Sequence, residues 1–178
     1  TMAATEGVTD QVVEVAANGF ERAGYAFVGW NTAADGSGQA YAAGAGYALT
    51  AGDDALFAQW TANDGTAYTV NHYKVNAAHT AATLDNAENL KATTDASVSA
   101  TPQTIPGYTY QPLFDENGMK TVASGTVAGD GSLVLNLYYT PDADALAYHA
   151  NGGQGTMAAT EGVTDQVVEV AANRLERA

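Results

Sequence analysis

Cysteine is absent from this 178-residue sequence, which excludes disulfides, thiolate zinc sites and thiol nucleophiles together. Basic residues are scarce: six Lys and Arg stand against twenty Asp and Glu, giving a formal net charge of -14. Such a chain repels a phosphate backbone and an anionic lipid surface alike, so neither nucleic acid nor a membrane is an expected partner. No run of eighteen apolar residues occurs, and no charged segment leads into an apolar one at the start, so neither a membrane span nor a secretion signal is read. What the chain has in quantity is Gly, Ala, Thr and Asn, with ten Tyr and only 15% charged residues. That composition suits a secreted β-rich module. The pattern opens in mid-course at Thr1, so the sequence is expected to be a piece of something longer.

Self-similarity is the strongest signal. Thr1 to Ala23 reappears as Thr156 to Ala178, with Gly19 replaced by Arg174 and Phe20 by Leu175. A match this close implies recent duplication and a parent carrying tandem copies of a unit of about 155 residues.

Within the unit the pattern organises around Gly24 to Trp30, G-Y-A-F-V-G-W, answered by Ala55 to Trp60, A-L-F-A-Q-W. Aromatic and branched residues at alternate positions predict two strands of one small sheet, with Tyr25 and Phe27 on one face and Leu56, Ala58 and Trp60 as the matching face, read as core. Val13 and Val15 alternate with Glu14 and Ala16 in a strand within Asp10 to Ala17. Asp35-Gly36-Ser37-Gly38 is a turn by its chemistry, and Ala-rich Gln39 to Leu49 suggests a short helix broken by Gly44 and Gly46. Tyr68 to Val75 reads as a strand whose alternation slips at His72-Tyr73, through a bulge or burial on both faces. Thr83 to Thr93 is its expected neighbour. Ala96 to Ile105 is open between helix and extended chain, with Pro102 and Pro106 limiting any helix. Gly107 to Tyr110 begins another strand, Asn117-Gly118 and Asp130-Gly131 are turns, and Leu133 to Tyr139 is the clearest strand of the chain.

Two resemblances rest on these residues. Tyr25 to Asn31, the glycine-rich stretch after it and Leu56-Phe57-Ala58-Gln59-Trp60 resemble the Listeria-Bacteroides repeat, the B repeat of internalin B. Its usual opening strand followed by N-G-G is similar to Ala147 to Gly153. The series Y-T-V-N-H-Y, I-P-G-Y-T-Y, S-G-T-V at Ser124 to Val127 and L-V-L-N-L-Y-Y resembles the mucin-binding-protein (MucBP) repeat of bacterial adhesins. The resemblances imply a β-rich α+β chain of two small β-grasp-like (ubiquitin-like) modules and the start of a third: 1–63 of the first type lacking its opening strand, 64–141 of the second, and 142–178 opening the next. They imply an extracellular place on a bacterial cell surface, in a parent anchored to the cell wall, and no catalytic residue.

Candidate chemistry is thin, and no catalytic, cofactor-binding or metal-binding residue is assigned. His72, His79 and His149 lack the close spacing of a metal site. Ser124 and Ser132 sit in turn sequence without a nucleophile elbow. Carboxylates at Asp53-Asp54, Asp115-Glu116 and Asp142-Ala143-Asp144 offer hard oxygen ligands for calcium, without the spacing of an EF-hand. Gly36 to Gly38 lacks the lysine of a phosphate loop. Of the lysines considered for an isopeptide cross-link, Lys74, Lys91 and Lys120, only Lys74 has a formal set of partners, in Asn136 and Glu88.

Two roles follow as expectations: an adhesive repeat of a surface protein, binding host mucin, glycan or a surface protein, or a spacer that projects a distal adhesive domain. An enzyme is not expected. A sheet edge lacking its opening strand and an orphan opening strand at Leu146 to Gly153 further predict head-to-tail self-association through residues 146–153.

Overall fold

The computed structural model describes residues 2–52 and 54–172. Its regular structure is entirely β, with no helix among the described residues. The chain divides into two compact units, Thr1–Tyr68 with Lys91–Ala96 and Thr126–Ser132, and Thr69–Leu90 with Ser97–Gly125 and Leu133–Ala178.

In the first unit β1 (Val12–Glu14), β2 (Tyr25–Asn31), β3 (Ala40–Tyr41), β4 (Gly46–Ala48) and β5 (Phe57–Ala62) follow in order. The two aromatic runs lie in one small sheet as expected; β2 pairs antiparallel with β5, and β3 adds to the other edge of β2. A bulge falls between Phe27 and Gly29, leaving Val28 outside the ladder and 62% exposed. One extra residue reverses the alternation. Trp30, which strict alternation would put on the face opposite Phe27, therefore meets it with ring centroids 5.3 Å apart. Trp30 and Val15 are buried, and the indole N–H donates to the Ala16 carbonyl at 3.0 Å. Asn31 is buried too. Its amide donates to the carbonyls of Gly36 and Gly38 and accepts from the Ala33 amide, so one side chain fastens the whole D-G-S-G turn. Gly38 has no room for a methyl group, which would lie 2.2 Å from Thr32 Oγ1. The return segments pack tightly as well: a Cβ on Gly129 would sit 2.1 Å from the Ala23 carbonyl oxygen, and buried Thr66 and Thr94 join hydroxyls at 2.7 Å.

The long strand β6 (Thr66–Val75) continues into the second unit, followed by β7 (Ala82–Ala92), β8 (Ser97–Ser99), β9 (Tyr108–Tyr110), β10 (Asp115–Glu116), β11 (Met119–Lys120), β12 (Ser124–Thr126), β13 (Val134–Pro141), β14 (Ala143–Leu146) and β15 (Thr160–Val163). The main sheet has the order β7-β6-β13-β9, with β13 parallel to β6 and antiparallel to β9. Against β13 the register of β6 runs without a shift through His72 and Tyr73, so the slip in alternation is burial on both faces. Leu135, Leu137, Tyr139, Val70 and His72 are closed off on one side; on the other, Tyr138 stacks between Tyr73 and Phe114 at 5.1 and 5.5 Å, next to buried Val75. Asn117 and Gly118, both at positive φ, turn β10 into β11 as the dipeptide predicts.

Two expectations are corrected. Gln39 to Leu49 is not a helix but carries β3 and β4. Gly44 is at φ 79°, its amide and that of Val15 are spent on hydrogen bonds between β1 and the β4 approach, and Tyr41 and Tyr47 pack edge to face at 5.2 Å. Two glycines and a ladder outweigh alanine propensity. The opening strand expected at 146–153 is instead Ala143–Leu146; Asn151 and Gly152 are at positive φ in a turn closed by Gly153 N–H to the Ala150 carbonyl. The open segment Ala96 to Ile105 is extended, with β8 at its start. Arg174 and Leu175 lie outside the described residues.

Three aspartates hold turns of the first unit. Asp35 accepts from the hydroxyl and amide of Ser37, Asp54 from the Thr50 amide and the Tyr47 hydroxyl, and Asp130 from Ser132. These bonds keep all three carboxyls below the ordinary aspartate range, the Ser37 hydroxyl, the Thr50 amide and the Ser132 hydroxyl being the main causes. Because folding lowers these values, the stability they contribute is whole above the unfolded value near ~4 and is lost as pH falls through the folded ones. Protonation also relieves repulsion over the whole chain, so the test is a difference. The triple variant D35N/D54N/D130N is expected to melt below the parent at neutral pH and to converge with it as the pH falls through the lowered folded values, followed by circular dichroism.

Candidate functional site

The second unit holds one arrangement with the look of an acid–base relay. His72 on β6 faces Tyr139 on β13 and Glu88 on β7, because three neighbouring strands of one sheet bring them to one side. His72 Nδ1 lies 2.8 Å from the Tyr139 hydroxyl and Nε2 lies 2.9 Å from Glu88 Oε1. The Gln103 amide N–H donates to the same hydroxyl at 2.9 Å, and the Gln103 side chain also reaches Glu88. Both ring nitrogens of His72 are thus partnered, and the Tyr139 oxygen is shared between Nδ1 and the Gln103 backbone amide. Burial pushes the Tyr139 hydroxyl upward and keeps it protonated at neutral pH.

A relay needs an atom that a substrate can reach. His72 and Tyr139 are both 0% exposed, and each ring nitrogen and the hydroxyl already has a partner. The arrangement is a polar clamp across three strands, in which only the Glu88 side chain, 34% exposed, meets solvent. Sequence spacing gave no hint of it, since Glu88 and Tyr139 meet His72 only through the strand order; the slipped alternation at His72 was the one visible sign of a polar residue turned inward.

The other sequence candidates are dispersed among structural partners. His79 pairs with Glu116 at 2.8 Å, and Asp115 with Lys120 at 2.7 Å. Asp142 accepts from the Thr109 hydroxyl at 2.6 Å, and Asp144 from the Ala145 amide at 2.8 Å. Asp53 lies outside the described residues, and Asp54 is spent on Thr50 and Tyr47. No group of three or more His, Asp or Glu side chains that could hold a metal ion occurs among the described residues. Lys74 sits 2.8 Å from Asp85, which raises its pKa, while Asn136 accepts from Asn71 and Glu88 belongs to His72. The formal isopeptide set is therefore not brought together. Gly36 to Gly38 is the turn fastened by Asn31. Ser132 caps Asp130, Ser124 begins β12, and His149 and Lys91 are exposed.

Two concavities of the first unit are lined in part by Phe20. A cleft of 420 Å³ is lined mainly by apolar groups, among them Val13, Val15, Trp30, Leu49 and Leu56. A second groove, which shares Phe20 with the cleft, runs past Tyr25, Phe27 and Trp60, with Asn18, Glu21 and Arg22 along it. Phe27 and Trp60 meet edge to face at 5.6 Å, and the Arg22 guanidinium lies 3.6 Å above the Tyr25 ring. The aromatics read as core thus divide: Trp30 is interior, while Tyr25, Phe27 and Trp60 are half-buried and form a groove wall. Phe20 and Arg22 were not legible as site residues, since neither stands in a periodic pattern.

No family model matches this chain, and no solved structure matches it. It is 28% identical over 126 residues to an Evansella cellulosilytica protein named "Putative membrane protein", a match covering 62% of this chain and 19% of that protein. The chain thus spans about a fifth of the length of the relative it matches.

Replacing Tyr139 by Phe leaves His72 Nδ1 and the Gln103 amide buried without their shared partner. The expected cost is about 1–3 kcal/mol in denaturant unfolding. The double variant Tyr139→Phe/His72→Leu is expected to cost less than the sum of the single changes, because the groups act as one network.

Proposed function

We propose that this chain is a tandem-repeat segment of a bacterial cell-surface adhesin, and that within it the second unit is built to bear load along the chain. The observation that carries this reading is the parallel pairing of β6 with β13 over six residues at the centre of the main sheet. The chain enters that sheet through the start of β6 and leaves it through the end of β13. Tension along the polypeptide therefore draws two parallel neighbours in opposite directions, so the ladder is sheared and its hydrogen bonds share the load. An antiparallel hairpin drawn from its open end separates one bond at a time. The clamp of Glu88, His72 and Tyr139 ties three of the four strands together across the direction of shear.

The near-identical repeat, the resemblances to Listeria-Bacteroides and mucin-binding-protein repeats, and the excess of acidic groups all favour an extracellular, cell-wall-anchored parent with β-grasp-like modules. The relative's name, which contains the words membrane protein, agrees with a surface-attached parent. This is the spacer role among the two expected from the sequence. Pulling single molecules from sites flanking 66 and 141 is expected to require markedly higher force than pulling from 66 and 92, the open end of the β6–β7 hairpin. Equal forces in both geometries would remove the load-bearing reading.

The adhesive role is supported by the groove of the first unit. Half-buried aromatic faces flanked by Asn18, Glu21 and Arg22 suit a sugar ring, whose C–H faces lie on aromatics while its hydroxyls meet polar groups. Phe20, one of the two positions at which the repeated segments differ, lines this groove. Weak binding of host mucin or glycan becomes effective when copies are numerous. A mucin overlay and glycan array with the whole chain test it: binding is expected to fall about tenfold or more in Phe20→Ala or Arg22→Ala if the groove holds the anchor groups. Binding unchanged in both variants would move the adhesive role elsewhere.

A further inference from the structure

The two module boundaries read from the sequence, after Asn63 and after Pro141, carry the same arrangement of groups. At the first, Gly24 and Tyr25 end a turn in which the Tyr25 amide donates to the Arg22 carbonyl at 3.0 Å; at the second, Gly107 and Tyr108 end one in which the Tyr108 amide donates to the Ile105 carbonyl at 3.0 Å. Both glycines are at positive φ, 78° and 73°. Each tyrosine then opens a strand antiparallel to the last strand of its module, Tyr25 opposite Ala62 and Tyr108 opposite Pro141. The residue after that last strand is the pivot. The Asn63 amide donates to the Gly24 carbonyl at 2.9 Å, and its own carbonyl accepts from the Thr94 amide at 3.0 Å. The Asp142 amide donates to the Gly107 carbonyl at 2.8 Å, and its carbonyl accepts from the Thr164 amide at 2.9 Å.

Beyond each pivot stands a Thr-Asp turn of the incoming module, with Asp95 at φ 65° and Asp165 at φ 60°. The tyrosine hydroxyl donates to that aspartate, Tyr25 to Asp95 and Tyr108 to Asp165. A cation lies over each ring, Arg22 at 3.6 Å from the Tyr25 centroid and Lys74 at 5.2 Å from that of Tyr108. The threonine explains the glycine: a Cβ on Gly24 would lie 2.5 Å from Thr94 Oγ1, and one on Gly107 would lie 2.5 Å from Thr164 Cγ2. Each set lies wholly within one compact unit. The flanking sequences differ, R-A-G-Y with T-T-D-A in one and I-P-G-Y with V-T-D-Q in the other, so the likeness does not come from the duplicated segment. The incoming turn is shaped in advance. In the earlier copy of that segment Asp10 is at φ 62° and the Gln11 amide donates to Val8 at 3.0 Å, as Gln166 does to Val163 in the later one.

We propose that this Gly-Tyr and Thr-Asp lock is the joint by which each module seats its successor. Modules joined by a short linker turn freely about it unless something else fastens them. Here the pivot residue is held by its amide and its carbonyl, the tyrosine spans from one module to the next, and the glycine lets the two turns close to van der Waals contact. The boundary is therefore a fixed joint that transmits orientation and stability. The proposal rests on the modular reading of the sequence and adds to the load-bearing role a means of passing tension from one module to the next.

The second joint is the one to test. The chain has no cysteine, so spin labels placed by Thr83→Cys and Glu161→Cys, at exposed positions of β7 and β15, report the distance across it. Double electron–electron resonance is expected to give one narrow distance distribution, which broadens when Gly107→Ala is added. Tyr108→Phe removes only the hydroxyl and is expected to speed amide exchange at Thr164 by roughly three- to tenfold, the worth of one hydrogen bond, while the β6–β13 ladder keeps its protection. A broad distribution without Gly107→Ala, unchanged exchange at Thr164 in Tyr108→Phe, or an equal rise along the β6–β13 ladder would each overturn the proposal. None of these measurements applies force, so their outcome is separate from that of the pulling experiment.

Discussion

A strand buried along one whole face, with a stacked tyrosine on the other, governs the second unit. In β13 the residues Leu135, Leu137 and Tyr139 are fully buried on one side, and Tyr138 is stacked between two aromatic rings on the other. Such a strand leaves its neighbours little choice. β6 must lie beside it in the one register that puts Val70 and His72 with the leucines and Tyr73 with Tyr138, since a shift of a single residue would exchange the two faces. The polar consequence is the Glu88–His72–Tyr139 clamp. Imidazole and phenol inside a sheet core are tolerable only when every donor and acceptor has a partner, and here a backbone amide completes the set.

How much of this could be read in advance varies with the range of the interaction. The paired aromatic strands, the Asn117-Gly118 and Asp130-Gly131 turns and the strand after Leu133 all follow from local pattern, and the structure has them. The misread helix at Gln39 to Leu49 had local propensity on its side; what displaced it was β1, whose backbone groups required partners. The bulge at Val28 was invisible because a strict alternation fits the same letters, and only the meeting of Phe27 with Trp30 reveals it. The clamp was hidden for another reason. Its members come from strands widely separated in sequence and have no motif spacing, so only the strand order unites them.

The concavities of the first unit were equally illegible. Periodicity assigns Tyr25, Phe27 and Trp60 to an inward face, and correctly so, but it cannot say how much covers that face. A small sheet with one layer over it leaves half-buried rings at its margin, and those rings with Arg22 and Glu21 make the groove. Composition alone had supplied aromatics and carboxylates; the meeting of Phe20 and Arg22 with them depends on how the chain from Asn18 rounds the end of β2, where the Asn18 amide closes on both backbone groups of Phe20.

The Thr-Asp turn has the same backbone form in both occurrences although one precedes a paired strand and the other does not. Its conformation is therefore a property of the short peptide itself. A joint made inside that stretch would shape itself correctly in either setting, because the geometry travels with the peptide rather than with its neighbours.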